Sequence, residues 1–165
     1  MSYRVIIPTA GVGSRLEKLT KYLNKSLVNI ANRPILSHLI DQFPKTCDFV
    51  IALGYKGYLV KDFLELSYPN RIFHFVNVKP YEGEGSGLGY SLLCCKKYLQ
   101  EPFVFISCDT LVKEPIPKPK FNWMGYAIKN KSSSYRKLQI KEKKVVRISE
   151  KNIISAENQR SYIGL

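Results

Sequence analysis

Val5-Ile6-Ile7-Pro8-Thr9-Ala10-Gly11-Val12-Gly13-Ser14-Arg15-Leu16 lies at the start of the chain, and its reading, carried on to Lys25, decides the fold. Val5 to Ile7 is an apolar, β-branched run of the kind that forms a buried strand. It breaks into a turn holding two glycines separated by a single residue, followed by a hydroxyl and an arginine. Without a Cβ, glycine lets the backbone bend sharply and lets a bulky anion approach its N–H groups. Ala10, Gly11, Gly13 and Ser14 are therefore the candidate anion-binding stretch, and the Arg15 guanidinium adds a bidentate partner for phosphate oxygens. Lys25 can bring a mobile point charge to the same anion. The combination suits a nucleoside triphosphate.

Two glycine loops with other roles do not fit. A dinucleotide-binding fingerprint needs a third glycine or alanine where Leu16 stands, and a ribose-binding acid at the end of the next strand. Asp48 stands at the start of that strand instead. A Walker loop needs Gly-Lys-Ser/Thr, but Lys25-Ser26 follows Asn24. A strand-to-helix turn that merely requires glycine would explain Gly-x-Gly alone. It would not explain the longer spacing, with Arg15, Leu19-Thr20, Lys25 and Asn32-Arg33-Pro34-Ile35-Leu36.

That spacing resembles the sugar-nucleotide pyrophosphorylases, nucleotidyltransferases acting on sugar 1-phosphates. They carry Gly-x-Gly-Ser/Thr-Arg-Leu, a Leu-Thr, Pro-Lys-x-Leu and a Pro-Ile-Leu helix start. Here Gly11, Gly13, Ser14, Arg15, Leu16, Leu19, Thr20, Lys25, Leu27, Pro34, Ile35 and Leu36 match without a gap. Lys18, Asn24 and Ser26 stand where the family usually has proline, changes expected to loosen the loop while leaving its charged groups in place.

Outward from the motif, helix patterns alternate with short apolar strands. This predicts an α/β fold with an open, Rossmann-like, mostly parallel sheet covered by helices on both faces. Pro34 is expected in the first turn of a helix behind Asn32 as cap, with Ile35, Leu36, Leu39, Ile40 and Phe43 on one face and His38 pointing away. Phe49–Leu53 reads as the second strand. Leu59, Val60, Phe63 and Leu64 have core spacing on a second helix, which Pro69-Asn70 breaks. Ile72–Val78 reads as the third strand, with His74 a half-buried, satisfied histidine. Glu82-Gly83-Glu84-Gly85-Ser86-Gly87 then leads into a helix carrying Leu88, Leu92, Leu93 and Leu99. Small residues at a helix start let the backbone lie against a flat ring. The Gly87–Leu92 segment resembles the family's base-contacting segment, so the resemblance places Gly87 beside the nucleotide base.

Phe103–Thr110 is an apolar strand ending in Asp109. Ligands in open α/β sheets bind beyond the carboxyl ends of the strands, and an acid there can hold Mg²⁺ against phosphate oxygens. The family has Gly-Asp at this point and its aspartate binds the catalytic metal, so the resemblance implies Mg²⁺ on Asp109, with Cys108 in place of the glycine. Glycosyltransferases of related topology want Asp-x-Asp, and Leu111 argues against sugar transfer to an acceptor. Pro115, Pro117 and Pro119 read as a linker and not a domain boundary. Three strand-like runs follow, Trp123–Ile128, Tyr135–Ile140 and Lys144–Ser149, with Lys141-Glu142-Lys143 as a hairpin turn. Glu150-Lys151 resembles the family's Glu-Lys pair. There the glutamate accepts sugar hydroxyls and the lysine meets the sugar phosphate. Tyr162-Ile163-Gly164-Leu165 resembles a strand lining the sugar site, and a later metal-binding aspartate of the family has no counterpart.

The expected organisation is one nucleotidyltransferase domain over residues 1–165, shorter at its C-terminal end than typical members. With 45% hydrophobic residues, the chain can build an ordinary core. No run approaches the length of a membrane span and no apolar signal segment precedes the first strand, which predicts a cytoplasmic protein without a membrane partner. Cys47, Cys94, Cys95 and Cys108 lack metal or disulfide spacing and read as packing residues. Much of the net charge of +13 falls between Lys113 and Lys151, where twelve basic residues face three acidic ones. A nucleic-acid surface would interleave aromatics with the charges. They are not interleaved here, so the charge reads as a solvated surface that attracts anionic substrates.

The resulting expectation is transfer of a nucleotidyl group from an NTP to a sugar 1-phosphate, with pyrophosphate released. Arg15 and Lys25 are the catalytic pair, Ala10, Gly11, Gly13, Ser14 and Gly87 bind the nucleotide, Glu150 and Lys151 the sugar, and Asp109 the Mg²⁺. A catalytically weak nucleotide-binding or regulatory module is the alternative. Homo-oligomerisation is implied by the resemblance alone.

Overall fold

The computed structural model describes residues 3–128, 135–150 and 159–165. The chain divides into two compact units, Met1–Lys120 and Phe121–Leu165. The break follows Pro115, Pro117 and Pro119, the segment that the sequence reads as a linker.

In the first unit the chain runs through β1 (Arg4–Pro8), β2 (Asn29–Ile30), β3 (Arg33–Pro34), α1 (Ile35–Asp41), β4 (Asp48–Leu53), α2 (Gly57–Ser67), β5 (Phe73–Asn77), α3 (Leu88–Cys94) and β6 (Phe103–Phe105). The main sheet has the order β5-β4-β1-β6 with every pairing parallel. Val5, Ile6, Ile7, Phe49, Val50 and Ile51 are fully buried, as expected of central strands covered on both faces. Alternation sends the two sets of side chains to opposite faces. On one face Ile6, Val50 and Ala52 pack with Cys95, and Leu92 and Tyr90 of α3 lie against them. On the other, Phe49 meets Phe43 just beyond α1 edge-on, and Lys61 of α2 lies over the Phe75 ring. The chain moves one way from β1 through β4 to β5, then returns past β1 to β6. Right-handed crossovers in opposite directions put their helices on opposite faces, and the reversal leaves a crevice at the carboxyl ends of β1 and β6.

Several local expectations are corrected. Asn32 does not cap α1. It lies in the turn of the β2–β3 hairpin at φ 63°, and Pro34 is itself the N-cap of a helix starting at Ile35. On α3, Leu88 and Leu93 are 46% and 62% exposed, and the residue that the helix buries is Ser91. A helix this short presents one narrow stripe to the sheet, and two of its leucines fall outside it. His74 is half-buried as expected, its ring stacked on Tyr98 with centroids 4.8 Å apart and its Nε2 3.5 Å from Asp48. The four cysteines are free thiols, three of them buried.

The second unit is an antiparallel sheet, order β7-β10-β8-β9, formed by β7 (Tyr126–Ala127), β8 (Lys137–Lys141), β9 (Lys144–Ser149) and β10 (Gln159–Tyr162). Glu142 and Lys143 turn between β8 and β9 at φ 48° and 64°, the left-handed pair that a two-residue hairpin demands. Leu138 is its fully buried side chain, and the terminal segment folds back with Gly125 N–H donating to Leu165 O.

Candidate active site

The crevice at the switch point is built by three segments of the first unit. The first is the turn after β1. Gly13 adopts φ 70°, and a Cβ on it would come within 3.0 Å of Thr20 Cγ2 and 3.1 Å of Lys25 Cβ. Both the backbone angle and the crowding require glycine. Thr20, buried, donates its hydroxyl toward Gly13 O (3.3 Å) and Glu17 O (3.2 Å), which gives the Leu-Thr of the motif its task of bracing the turn. Gly11 is exposed and a Cβ there would touch nothing within 4 Å. Ala10 is buried, and its carbonyl accepts from Tyr55 N–H at 2.8 Å. Ser14 and Arg15 begin a 3-10 segment, Ser14–Thr20, and both are exposed.

The second segment is the short 3-10 turn Lys25–Leu27, and the third follows β6, where Ser107, Cys108 and Asp109 leave the sheet. They meet. Lys25 Nζ lies 2.9 Å from Asp109 Oδ2, and Ser107 donates its hydroxyl to Asp109 Oδ1 at 2.7 Å. Lys25 and Asp109 are 84 residues apart in sequence, and their side chains are 20% and 42% exposed. Burial alone would raise the Asp109 pKa, but the Ser107 hydrogen bond, the bond and charge of Lys25 and the charge of Arg15 outweigh it. The carboxyl is held below its ordinary range. Burial likewise works against the Lys25 ammonium, and the neighbouring Cys108 and Asp109 more than reverse it, so its pKa lies above the usual lysine value. The Cys108 thiol, pushed up to about 11 by burial, is protonated at neutral pH, which leaves the Asp109 carboxylate as the acting partner.

The structure therefore brings together Gly13, Lys25 and Asp109, with the charge of Arg15 reaching Asp109, while a Cβ at Gly11 would meet none of them within 4 Å. Gly87 precedes α3 at φ 144°, open to solvent, with no atom within 4 Å of a Cβ built on it. Glu150 lies in the second unit directly after β9, where Arg136 Nε donates to its Oε2 at 3.1 Å. Lys151 lies outside the described residues.

Three residues of the site were missed or misjudged from sequence. Gly54, after β4, approaches so closely that a Cβ would stand 2.5 Å from Ala10 O and 2.8 Å from Tyr81 Cβ. Ser107 orients Asp109. Asn24, expected to loosen the loop, does the opposite: it is fully buried with its side-chain amide hydrogen-bonded on both ends. The Gly-Tyr after an apolar strand was visible as a signal for Gly54, whereas nothing local distinguishes a buried Asn from a solvated one.

Among the described residues no three His, Cys, Asp or Glu side chains cluster as a metal cage would need. Asp109 alone fits a divalent cation that takes most of its ligands from phosphates and water, because each of its oxygens keeps a lone pair beyond the bond it already accepts.

No family model matches the chain. The bifunctional protein GlmU of Methanocaldococcus jannaschii is 30% identical over 112 residues, covering 67% of this chain and 26% of that protein. Among solved structures, a UDP-glucose pyrophosphorylase complexed with UDP-glucose superimposes with TM-score 0.76 at 20% identity, over 99% of this chain and 74% of that one. CTP:phosphocholine cytidylyltransferase (LicC) of Streptococcus pneumoniae gives 0.77 at 23%, over 99% and 69%. The chain spans between about a quarter and about half the length of the curated relatives it matches. In sequence, this chain is similar to a part of GlmU and of glucose-1-phosphate nucleotidyltransferases, and in fold to UDP-glucose pyrophosphorylase and LicC.

Proposed function

We propose that the chain transfers a nucleotidyl group from an NTP to a sugar 1-phosphate or a similar phosphorylated small molecule, releasing pyrophosphate. The observation that carries this reading is the Lys25–Asp109 pair, assembled at the switch point beside the Gly13 turn. A phosphate oxygen of the acceptor attacks the α-phosphorus of the NTP. The bond from that phosphorus to the bridging oxygen breaks, and its electron pair leaves with pyrophosphate. The nucleophile is already an anion, so no strong general base is needed. Alignment and charge neutralisation carry the rate.

Backbone N–H groups around Gly11 and Gly13, with Ala10, Ser14 and Arg15, hold the triphosphate in this reading. Lys25 sits against the α-phosphate or the acceptor phosphate, and Gly87 lies by the base. Asp109 would hold Mg²⁺, which when bound would neutralise charge on the phosphate oxygens. Glu150 and Lys151 keep their assignment to the sugar through the resemblance alone, homo-oligomerisation likewise rests on it, and a single functional domain rests on the chain's length of 165 residues. The four free cysteines suit a reducing cytoplasm, and among the described residues no helix is long and apolar enough to cross a membrane. Arg15→Ala or Asp109→Ala should lower kcat about 10²-fold or more, the scale for one electrostatic contact. Near wild-type turnover in both would sink the assignment.

The test is to incubate the protein with Mg²⁺, each NTP (dTTP included) and a panel of sugar 1-phosphates plus phosphocholine, following pyrophosphate. Release with one pair names both substrates. A second reading, a nucleotide-binding or regulatory module, draws on the lack, among the described residues, of a cluster of three potential metal ligands around Asp109. NTP binding without release across the whole panel would select it.

A further inference from the structure

Lys25 lies on a three-residue 3-10 turn, too short to hold a side chain in place by itself. The residue before it supplies the rigidity. Asn24 is 0% exposed. Its Nδ2 donates to Thr9 O at 2.9 Å and to Tyr55 O at 2.7 Å. Its Oδ1 accepts from Ser26 N–H at 3.0 Å and from Ser26 Oγ at 2.8 Å. An asparagine side chain has two N–H donors and an oxygen with two lone pairs, so every hydrogen-bonding position is filled. The partners are themselves anchored. Thr9 follows β1 and gives both its N–H and its hydroxyl to Ala52 O in β4. Tyr55 follows β4, returns its N–H to Ala10 O, and donates its hydroxyl to Thr20 O at 3.0 Å. One buried amide thus ties the Lys25 turn to the carboxyl ends of two central strands. The Lys25 ammonium extends from that anchor to Asp109, beyond a third strand.

We propose that Asn24 is a positioning residue whose buried side chain fixes the Lys25 ammonium against Asp109 at the mouth of the sheet. The proposal deepens the nucleotidyltransferase reading and rests on it for its kinetic consequence. A misplacement of about 1 Å at a charge-stabilising group can cost about 10²-fold in rate. A group that acts only by holding Lys25 has no effect once Lys25 is gone.

The experiment is a double-mutant cycle on the full chain. Asn24→Ala removes all four bonds. Asn24→Asp keeps the acceptor toward Ser26 and turns a second oxygen toward the Thr9 and Tyr55 carbonyls, which cannot donate to it. For each variant that retains a cooperative melt, kcat, KM for the NTP and NTP affinity are measured, alone and in a Lys25→Met background. The expected result is a fall in kcat of roughly 10- to 10²-fold, with a smaller change in KM, that vanishes in the Lys25→Met background. A loss of equal size on top of Lys25→Met would make Asn24 merely structural and overturn the proposal. So would wild-type kcat in a folded Asn24→Asp or Asn24→Ala variant. Crystal structures of the wild type and of whichever variant folds give a readout that needs no turnover. A Lys25–Asp109 contact retained at its wild-type length overturns the proposal, and an opened contact supports it. If wild-type protein releases no pyrophosphate with any substrate pair, the nucleotidyltransferase reading fails, and the crystal comparison still decides the role of Asn24.

Discussion

Gly11 and Gly13 are two residues apart in one turn and are glycines on different physical grounds. Gly13 combines a left-handed φ of 70° with neighbours at 3.0 and 3.1 Å. Gly13→Ala should cost about 1–2 kcal/mol in urea denaturation, and it should lower turnover as well because the crowded neighbour is Lys25. A Cβ at Gly11 meets no protein atom. Gly11→Ala should therefore unfold within about 0.5 kcal/mol of the wild type yet bind NTP less tightly, by isothermal titration. Unchanged affinity there would remove the triphosphate from that turn. The glycines, Arg15, Lys25 and Asp109 could be proposed residue by residue from the sequence because each has a chemistry that spacing can announce. Asn24 and Ser107 could not, since a polar side chain reads alike whether it is buried and satisfied or solvated. Their roles depend on carbonyls and a carboxylate that neighbouring strands and loops deliver.

At the scale of elements, α1 ends in a device that the sequence did not disclose. Arg71, in the turn before β5, donates from its guanidinium to the carbonyls of Ile40, Phe43 and Pro44. These lie at and just beyond the helix C-terminus, where carbonyls lack intrahelical partners and a cation is favourable. Arg71→Ala should destabilise by about 1–3 kcal/mol, the range for lost charged hydrogen bonds, read as a lower urea midpoint with an unchanged slope. Arg71→Lys should recover only part of it, because one ammonium cannot reproduce the planar fork. Strands β1 and β4 were readable to within a residue, since fully buried parallel strands are continuous apolar runs. The faces of α3 and the cap of α1 were not readable. Both are settled by where the chain enters the element, which for α1 is a hairpin made of two-residue strands too short to show a pattern.

For the whole molecule, the first unit carries a four-stranded parallel sheet and the second, much shorter unit a four-stranded antiparallel one. So short a unit has too little apolar interior to offset its conformational entropy by itself. A peptide spanning 121–165 should therefore lack dispersed amide shifts in an NMR spectrum. A folded spectrum would make it an autonomous domain and overturn the single-domain reading of residues 1–165. The charge of +13 and the alternating pattern were whole-chain properties visible without coordinates. By itself the sequence determined the layer architecture and the glycine turn, because burial on both faces and a required left-handed φ leave marks on local residue choice. Only the tertiary structure decided that Lys25 meets Asp109. Their contact spans 84 residues and exists because the strand order reverses beside β1, bringing the end of β6 next to the β1 turn, a neighbourhood that no local pattern encodes.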